Sequence, residues 1–242
     1  RGLFCGGGAP ARKTIIEYFD IATRGNTQNF GDITGSARTL AGATGGNATR
    51  GLTFGGATSS STSNVICAIT ISSTGSVSDF GDCTQQNGAA VVCSPTRAVS
   101  AGGDSAANGS NINTIDFVTI QSMGNSLDFG DLLSAASGRG VSSTTRGLFS
   151  SETPAAKRIN YVTIATTGNS VDFGDLITNN AVGCASYSSL TRGCFAGLRT
   201  PTTTNTIEYV TMSTLGDALN FGDLTQPVTN GGGCSNGHGG LG

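Results

Sequence analysis

The sequence predicts an all-β fold of five four-stranded antiparallel blades, and three observations carry that expectation. One phrase, Asn/Asp-Phe-Gly-Asp, is written five times, at 29–32, 79–82, 128–131, 172–175 and 220–223, at intervals of 44 to 50 residues. A period in that range marks a repeat architecture. Helix formers are scarce, with two Lys, two Met and three Glu against 38 Gly. Short β-branched and aromatic runs return between clusters of Gly, Ser, Thr and Asn, the pattern of strands separated by turns. The regular return of Ile, Val, Phe and Tyr argues for a packed core rather than a flexible Gly-rich linker.

Each unit reads as four strands in a fixed order. Strand one is a run of small residues, such as 39–44 or 89–93. A turn ending in Thr-Arg leads to strand two, for example 50–56. Strand three is the Ile-Glu-Tyr-Val-Thr-Ile type, at 16–21, 66–71, 115–120, 159–164 and 207–212. A tight turn follows, centred on Gly25, Gly75, Gly124, Gly168 or Gly216. Asn26, Asn125, Asn169 and Asp217 come next, with Ser76 the exception; these residue types tolerate the positive φ that such turns require. Strand four then carries Phe-Gly-Asp.

Four antiparallel strands repeated five times lie inside the blade-number range of β-propellers. Arg1 opens on strand two of its unit, and 231–235 reads as strand one, so strands from both termini are expected to complete one blade and close the ring. An open solenoid needs distinct capping repeats, and none is visible. The whole of 1–242 is therefore expected to be a single domain.

Net charge is −2, with 12% of residues charged and no basic stripe. Nucleic acid is not an expected partner, because phosphate neutralisation needs clustered Lys and Arg. No apolar run is long enough to cross a bilayer as a helix, so membrane insertion is not expected. The odd count of seven cysteines leaves at least one unpaired within a chain. Cys93, Cys184 and Cys234 are expected at one small buried position of the repeat. With no Cys-x-x-Cys and the sole histidine, His238, among glycines, neither a zinc site nor any other metal or cofactor is expected.

The units resemble kelch repeats, and the resemblance covers the whole chain. A Gly-Gly pair follows strand two at Gly6-Gly7, Gly55-Gly56 and Gly102-Gly103; Ser151-Glu152 and Gly197-Leu198 stand in its place in the last two units. The aromatic of the following strand is matched by Tyr18, Phe117, Tyr161 and Tyr209, with Ala68 a departure. The usual Trp is missing, and the resemblance gives its role to Phe30, Phe80, Phe129, Phe173 and Phe221. The wording Thr-Arg-Gly-Leu-Phe, Tyr-Val-Thr-Ile-Ala-Thr-Thr-Gly-Asn and Asp-Phe-Gly-Asp-Leu is similar to repeat proteins encoded by marine bacteriophages, often near tail or fibre genes. That likeness implies a virion or extracellular location.

The strictly repeated charges read as structural. Asp32, Asp82, Asp131, Asp175 and Asp223 each end a strand, where a carboxylate accepts backbone N–H bonds at the next turn. Arg1, Arg50, Arg97, Arg146 and Arg192 begin strand two at the opposite end of a blade roughly 20 Å long, too far for a pair with those aspartates. They are expected to bond carbonyls of nearby turns. Asp20, Asp104, Glu152 and Asp217 break the repeat but occupy different blades and faces, so no acid–base pair forms and no catalytic residue is assigned.

The stretches between strands two and three differ in every unit: 9–14, 57–64, 104–114, 152–158 and 198–205. Strand polarity gathers them on one face, beside the connections from strand four to strand one. Loops held on a rigid scaffold carry binding, so Asp104, Asn108, Asn111, Glu152, Lys157, Arg199 and Thr203 are the expected binding residues. The expected function is a non-enzymatic binding or structural module of a virion, a phage tail-fibre or surface-decoration protein contacting host glycan or neighbouring virion proteins. A soluble lectin-like propeller is the alternative, and a carbohydrate-active enzyme stands behind both.

Overall fold

The computed structural model describes the chain except residues 9, 35–43, 76, 86–89, 106–109, 137, 152–156, 180–182, 201 and 236–242, and it leaves the side chains of 104, 105, 199 and 200 undescribed. The fold is all-β, five blades arranged as a β-propeller. Blade one holds β1 (Gly2–Cys5), β2 (Ile15–Phe19) and β3 (Gln28–Asp32). Blade two holds β4 (Thr44–Gly46), β5 (Arg50–Ala57), β6 (Thr62–Thr70) and β7 (Ser78–Asp82). Blade three runs β8 (Ala90–Cys93), β9 (Arg97–Ala101), a small hairpin of β10 (Asp104–Ser105) and β11 (Ser110–Asn111), then β12 (Thr114–Thr119) and β13 (Leu127–Asp131). Blade four holds β14 (Gly140–Ser142), β15 (Arg146–Ser150), β16 (Arg158–Thr163) and β17 (Val171–Asp175). Blade five holds β18 (Ala185–Ser188), β19 (Arg192–Ala196), the hairpin of β20 (Arg199–Thr200) and β21 (Thr202–Thr203), then β22 (Thr206–Thr211) and β23 (Leu219–Asp223).

Within a blade the strands pair antiparallel in chain order, as in β4-β5-β6-β7. The first strands of successive blades touch one another, which puts strand one innermost and the Phe-Gly-Asp strand outermost. Blade one's sheet has three strands, β1-β2-β3. Residues 231–235 do not ladder with β1. They run beside β18 as extended chain, and the Ser188 N–H donates to Ser235 Oγ at 2.9 Å, just as the Cys93 N–H donates to Ser142 Oγ at 3.3 Å. Ser235 thus stands in the register of Gly46, Cys93, Ser142 and Ser188. The expected common place for three cysteines does not hold either: Cys93 ends β8, Cys184 precedes β18, and Cys234 is exposed.

Alternation along the strands buries both faces of blades two, three and four, because each of these lies between two others. Leu52 and Phe54 of β5 pack with Ile66, Phe80 and Cys83 against Val91, Ala98, Val118 and Ile120 of blade three. Equivalent cores join blades one and two, three and four, and four and five. Fully burying one such side chain contributes about 1.5–3 kcal/mol.

Strand three ends one or two residues earlier than the sequence suggests. The chain bends at once, with Thr23 N–H donating to Asp20 O and Ser122 N–H to Thr119 O. Only the glycines carry positive φ at this turn (148° at Gly75, 150° at Gly124, 155° at Gly168, 150° at Gly216). Asn125, Asn169 and Asp217, which follow three of these glycines, keep an ordinary backbone, so the expected reason for Asn at that position is not the operative one.

Candidate functional site

The arginines and Phe-Gly-Asp bulges of blades one to four build the joints between blades, and blade five carries the same set. Arg1, Arg97, Arg146 and Arg192 lie over the rings of Tyr18, Phe117, Tyr161 and Tyr209, at 4.7, 4.3, 5.3 and 4.7 Å from guanidinium carbon to ring centroid. Each of those rings meets the Phe of its own Phe-Gly-Asp edge-on, at 5.9 to 6.0 Å. Beyond the stack, Arg Nη1 crosses to the next blade and donates to the carbonyl that ends its strand three: Arg1 to Ile71 O, Arg50 to Ile120 O, Arg97 to Ile164 O and Arg146 to Met212 O, at 2.7 to 3.0 Å. The backbone N–H groups of Arg50, Arg97, Arg146 and Arg192 donate to the side chains of Asn47, Ser94, Ser143 and Ser189, three residues before each.

The Phe-Gly-Asp phrase is a β-bulge. Ile16 pairs with Gly31 and Glu17 with Asn29, which leaves Phe30 as the extra residue, and the same shift recurs in all five blades. A bulge of this kind bends the strand and re-aims its groups, here toward the next blade. Gly124 N–H donates to Phe80 O at 2.8 Å, Ser126 N–H to Asp82 O at 2.8 Å, and Asp82 N–H to Asn125 Oδ1 at 3.0 Å. Asn169 and Asp217 repeat that last contact with Asp131 and Asp175. The residue after the turn glycine is therefore a clip on the neighbouring blade. Of the five repeated aspartates, Asp32 accepts the Thr14 hydroxyl at 2.7 Å, whereas backbone N–H groups are taken by Asp79 and Asp172 at the head of the phrase.

One further set was not picked out from the sequence. Cys67, Asp116, Asn160 and Glu208 sit one residue before the strand-three aromatic position and are buried. Asp116 accepts Thr84 N–H at 2.8 Å and the Thr84 hydroxyl at 2.7 Å; Glu208 accepts the N–H groups of Ile177 and Thr178, both at 2.8 Å. Each caps the connection that leaves the preceding blade. The signal was a polar residue between two apolar ones in a strand buried on both sides.

The variable loops share a face with the connections from strand four to strand one. In blades one, three, four and five the residue after the repeated aspartate bonds the residue just before strand three, as in Ile33 N–H to Thr14 O and Leu132 N–H to Asn113 O. Loop construction differs blade by blade. In blade two the ladder continues outward, Gly56 pairing with Ser63 and Ala57 with Thr62, and closes on Thr58 and Ser61. Blades three and five carry the hairpins β10–β11 and β20–β21, so parts of 57–64, 104–114 and 198–205 are strand rather than loop. Asp104 pairs with Asn111 and Arg199 with Thr203, which brings four of the seven expected binding residues together as two backbone pairs in separate blades. Lys157 is half-buried, and its carbonyl accepts Leu176 N–H at 2.8 Å. Asn108 and Glu152 lie outside the described residues. The opposite face, with its Ser/Asn-capped turns and glycine clips, repeats closely.

An open groove of about 420 Å³ lies where blade four meets blade five, lined by Asp172, Phe173, Asp175, Leu215 and Asp217. Its polar atoms are engaged: Asp217 Oδ1 holds Asp175 N–H, Asp172 Oδ1 holds Gly174 N–H, and Arg158 Nε lies 3.7 Å from Asp172 Oδ2. Among the described residues no three His, Cys, Asp or Glu side chains gather as a metal site would require. None of the seven cysteines is joined in a disulfide. Burial pushes the Cys93 and Cys5 thiols up to about 12, and raises Cys194 as well. A raised pKa keeps a thiol protonated and a poor nucleophile.

No protein-family model matches the chain, and no curated protein matches it. Among solved structures it is similar to one described as "Structure of YjhT", with a TM-score of 0.73 at 11% sequence identity, covering 91% of this chain and 81% of that one. The likeness is one of fold, and the fold is a β-propeller.

Proposed function

We propose that this propeller is a non-enzymatic binding module of a virion, a phage tail-fibre or surface-decoration protein whose variable-loop face meets host glycan or a neighbouring virion protein. The observation that carries the reading is the contrast between the two faces. On one, the same glycine, Asn/Asp and Ser/Asn contacts recur from blade to blade; on the other, blade two closes on an extended ladder whereas blades three and five carry separate two-residue hairpins. A scaffold that holds one face constant while the other diverges suits recognition, since loops on a rigid frame carry binding. The few charges and the Ser/Thr/Asn-rich surface favour hydrogen-bonded contact with polar partners such as sugars.

Mass spectrometry of purified particles tests the location, with peptides of this chain expected in the virion. Their absence from intact particles overturns the proposal. Exchanging residues 104–111 for the shorter loop of blade five tests the face: binding to host cells is expected to fall while the melting temperature stays within a few degrees. Unchanged binding after exchanging every variable loop in turn would remove the face from the proposal.

A further inference from the structure

Four inter-blade joints are complete in this molecule, and the two halves of a fifth lie open at either end of the array. On blade five, Phe221 is 55% exposed, whereas its counterpart Phe173 is 2% exposed. A Cβ on Gly222 would meet nothing within 4 Å, whereas on Gly81, Gly130 or Gly174 it would strike the turn glycine of the next blade. The Thr225 and Gln226 N–H groups, counterparts of Ile177 and Thr178, find no acceptor among the described residues. On blade one the complementary groups face outward. Phe4 is 58% exposed against 2% for Phe149, and Ile21 is 69% exposed against 1% for Ile164.

The open half-joint on blade one is already assembled. Thr27 Oγ1 donates to Glu17 Oε1 at 3.2 Å, in the same arrangement as Ser126 with Asp116 at 3.0 Å and Ser170 with Asn160 at 3.2 Å. In those pairs the carboxylate or amide also receives N–H groups from the blade before. Glu17 receives none among the described residues. Phe4 stacks on Phe19 at 5.7 Å, and the two rings share the side of the sheet that bears Glu17. Each face offers the apolar area and hydrogen-bonding groups that a neighbouring blade of this repeat would fill, and an exposed patch of that kind marks an interaction surface.

We infer that the two open faces form the seat of a further blade of this same repeat, carried on the same polypeptide, with residues 231–235 as its innermost strand. Those residues already lie against β18 where a next blade's first strand belongs, with Ser235 in register. The sequence after them continues the repeat. Asn236 stands at the place of Asn47, and Gly240-Leu241 at that of Gly51-Leu52. In blade one, Gly2-Leu3 already fills that place in strand two, so the sequence writes it twice, and 231–235 and β1 belong to two different blades.

Amide hydrogen exchange decides the matter. In the 242-residue chain, the N–H groups of Gly25, Thr27, Thr225 and Gln226 are expected to exchange at least about tenfold faster than those of Gly75, Val77, Ile177 and Thr178, since amides that lack a bonded partner open locally. In a chain extended after Gly242 by a copy of residues 196–235, all four are expected to become as protected as those counterparts, in a monomer. A second extension, copied from residues 101–142, guards against a fault in one added sequence. Protection of all four in the unextended monomer would mean that blade five closes directly on blade one, which overturns the inference. Protection only in a concentration-dependent oligomer would make a second copy the occupant and overturn it equally. So would failure of both extensions to protect the four amides.

Discussion

Arg97 joins two blades through a single side chain. Its guanidinium lies 4.3 Å from the Phe117 ring centroid within blade three and donates to Ile164 O of blade four at 3.0 Å. A cation over a ring contributes about 0.5–2 kcal/mol, and a hydrogen bond from a charged donor about 1.5–3 kcal/mol; part exposure places the sum toward the low end. Arg50 isolates one half of this, since Ala68 puts no ring beneath it while the bond to Ile120 O remains at 2.7 Å. Arg97→Ala is therefore expected to lower stability by about 2 kcal/mol and Arg50→Ala by about 1.5 kcal/mol in urea titrations. Arg97→Lys should keep the charge but lose the planar stack and fork, falling between wild type and Arg97→Ala. Equal losses at both sites would show that the ring adds nothing.

At the scale of the element, the Phe-Gly-Asp bulge needs glycine for two separable reasons. Gly130 has φ of 144°, and a Cβ there would lie 2.6 Å from the carbonyl carbon and oxygen of Gly168 in the next blade. Gly222 has φ of 147°, with open space around it. Backbone strain alone costs about 1–3 kcal/mol, so Gly222→Ala should lose that much. Gly130→Ala should lose distinctly more, because two backbones must also part. Calorimetric melts of the two variants measure the difference, and equal losses would mean that the joint does not depend on this close approach. The bulged strand was legible because its wording is rigid, and strand three because Ile, aromatic and Val alternate in every unit. Strand one was legible at 89–93, where β8 spans Ala90–Cys93; in blade two 39–43 lies outside the described residues, and the strand seen, Thr44-Gly45-Gly46, carries no alternation, with a Cβ on Gly45 meeting Cys93 Sγ at 2.5 Å. The purpose of Asn125 and Asn169 was misread for a related reason. Sequence places them in a turn, but the blade whose Asp N–H they hold is one repeat away. The hairpins at Asp104–Ser105 and Arg199–Thr200 were taken for loops because Ser, Thr and Asn dominate them, and in ladders this short backbone pairing alone sets the structure.

Over the whole molecule, stability resides in four cores set between five blades, each touching only its neighbours, so the array behaves as a nearest-neighbour chain of repeats. A perturbation inside one core then acts on the array through two joints at most. Cys93 lies in the core between blades two and three, with Gly46 N–H donating to its Sγ at 3.1 Å. Burial raises its pKa from 9.0 to about 12, against a small downward pull from that N–H. The folded chain therefore keeps the proton at alkaline pH while the unfolded chain releases it. Above pH 9 the unfolded state binds fewer protons, and stability must fall as pH rises, by about 1.4 kcal/mol per pH unit for one such thiol. The stabilisation is fully present below pH 9 and is lost as pH climbs toward 12. Cys5, also raised to about 12 by burial and secondarily by Cys67, adds to the same slope. Serine fits the Cys93 register, as Ser142 and Ser188 show, so Cys93→Ser should fold and should flatten the alkaline slope without altering it below pH 9. Urea midpoints collected on both proteins across that range read the effect. Parallel slopes would mean that the Cys93 thiol ionises as readily in the folded chain as in the unfolded one, and that the core between blades two and three admits water.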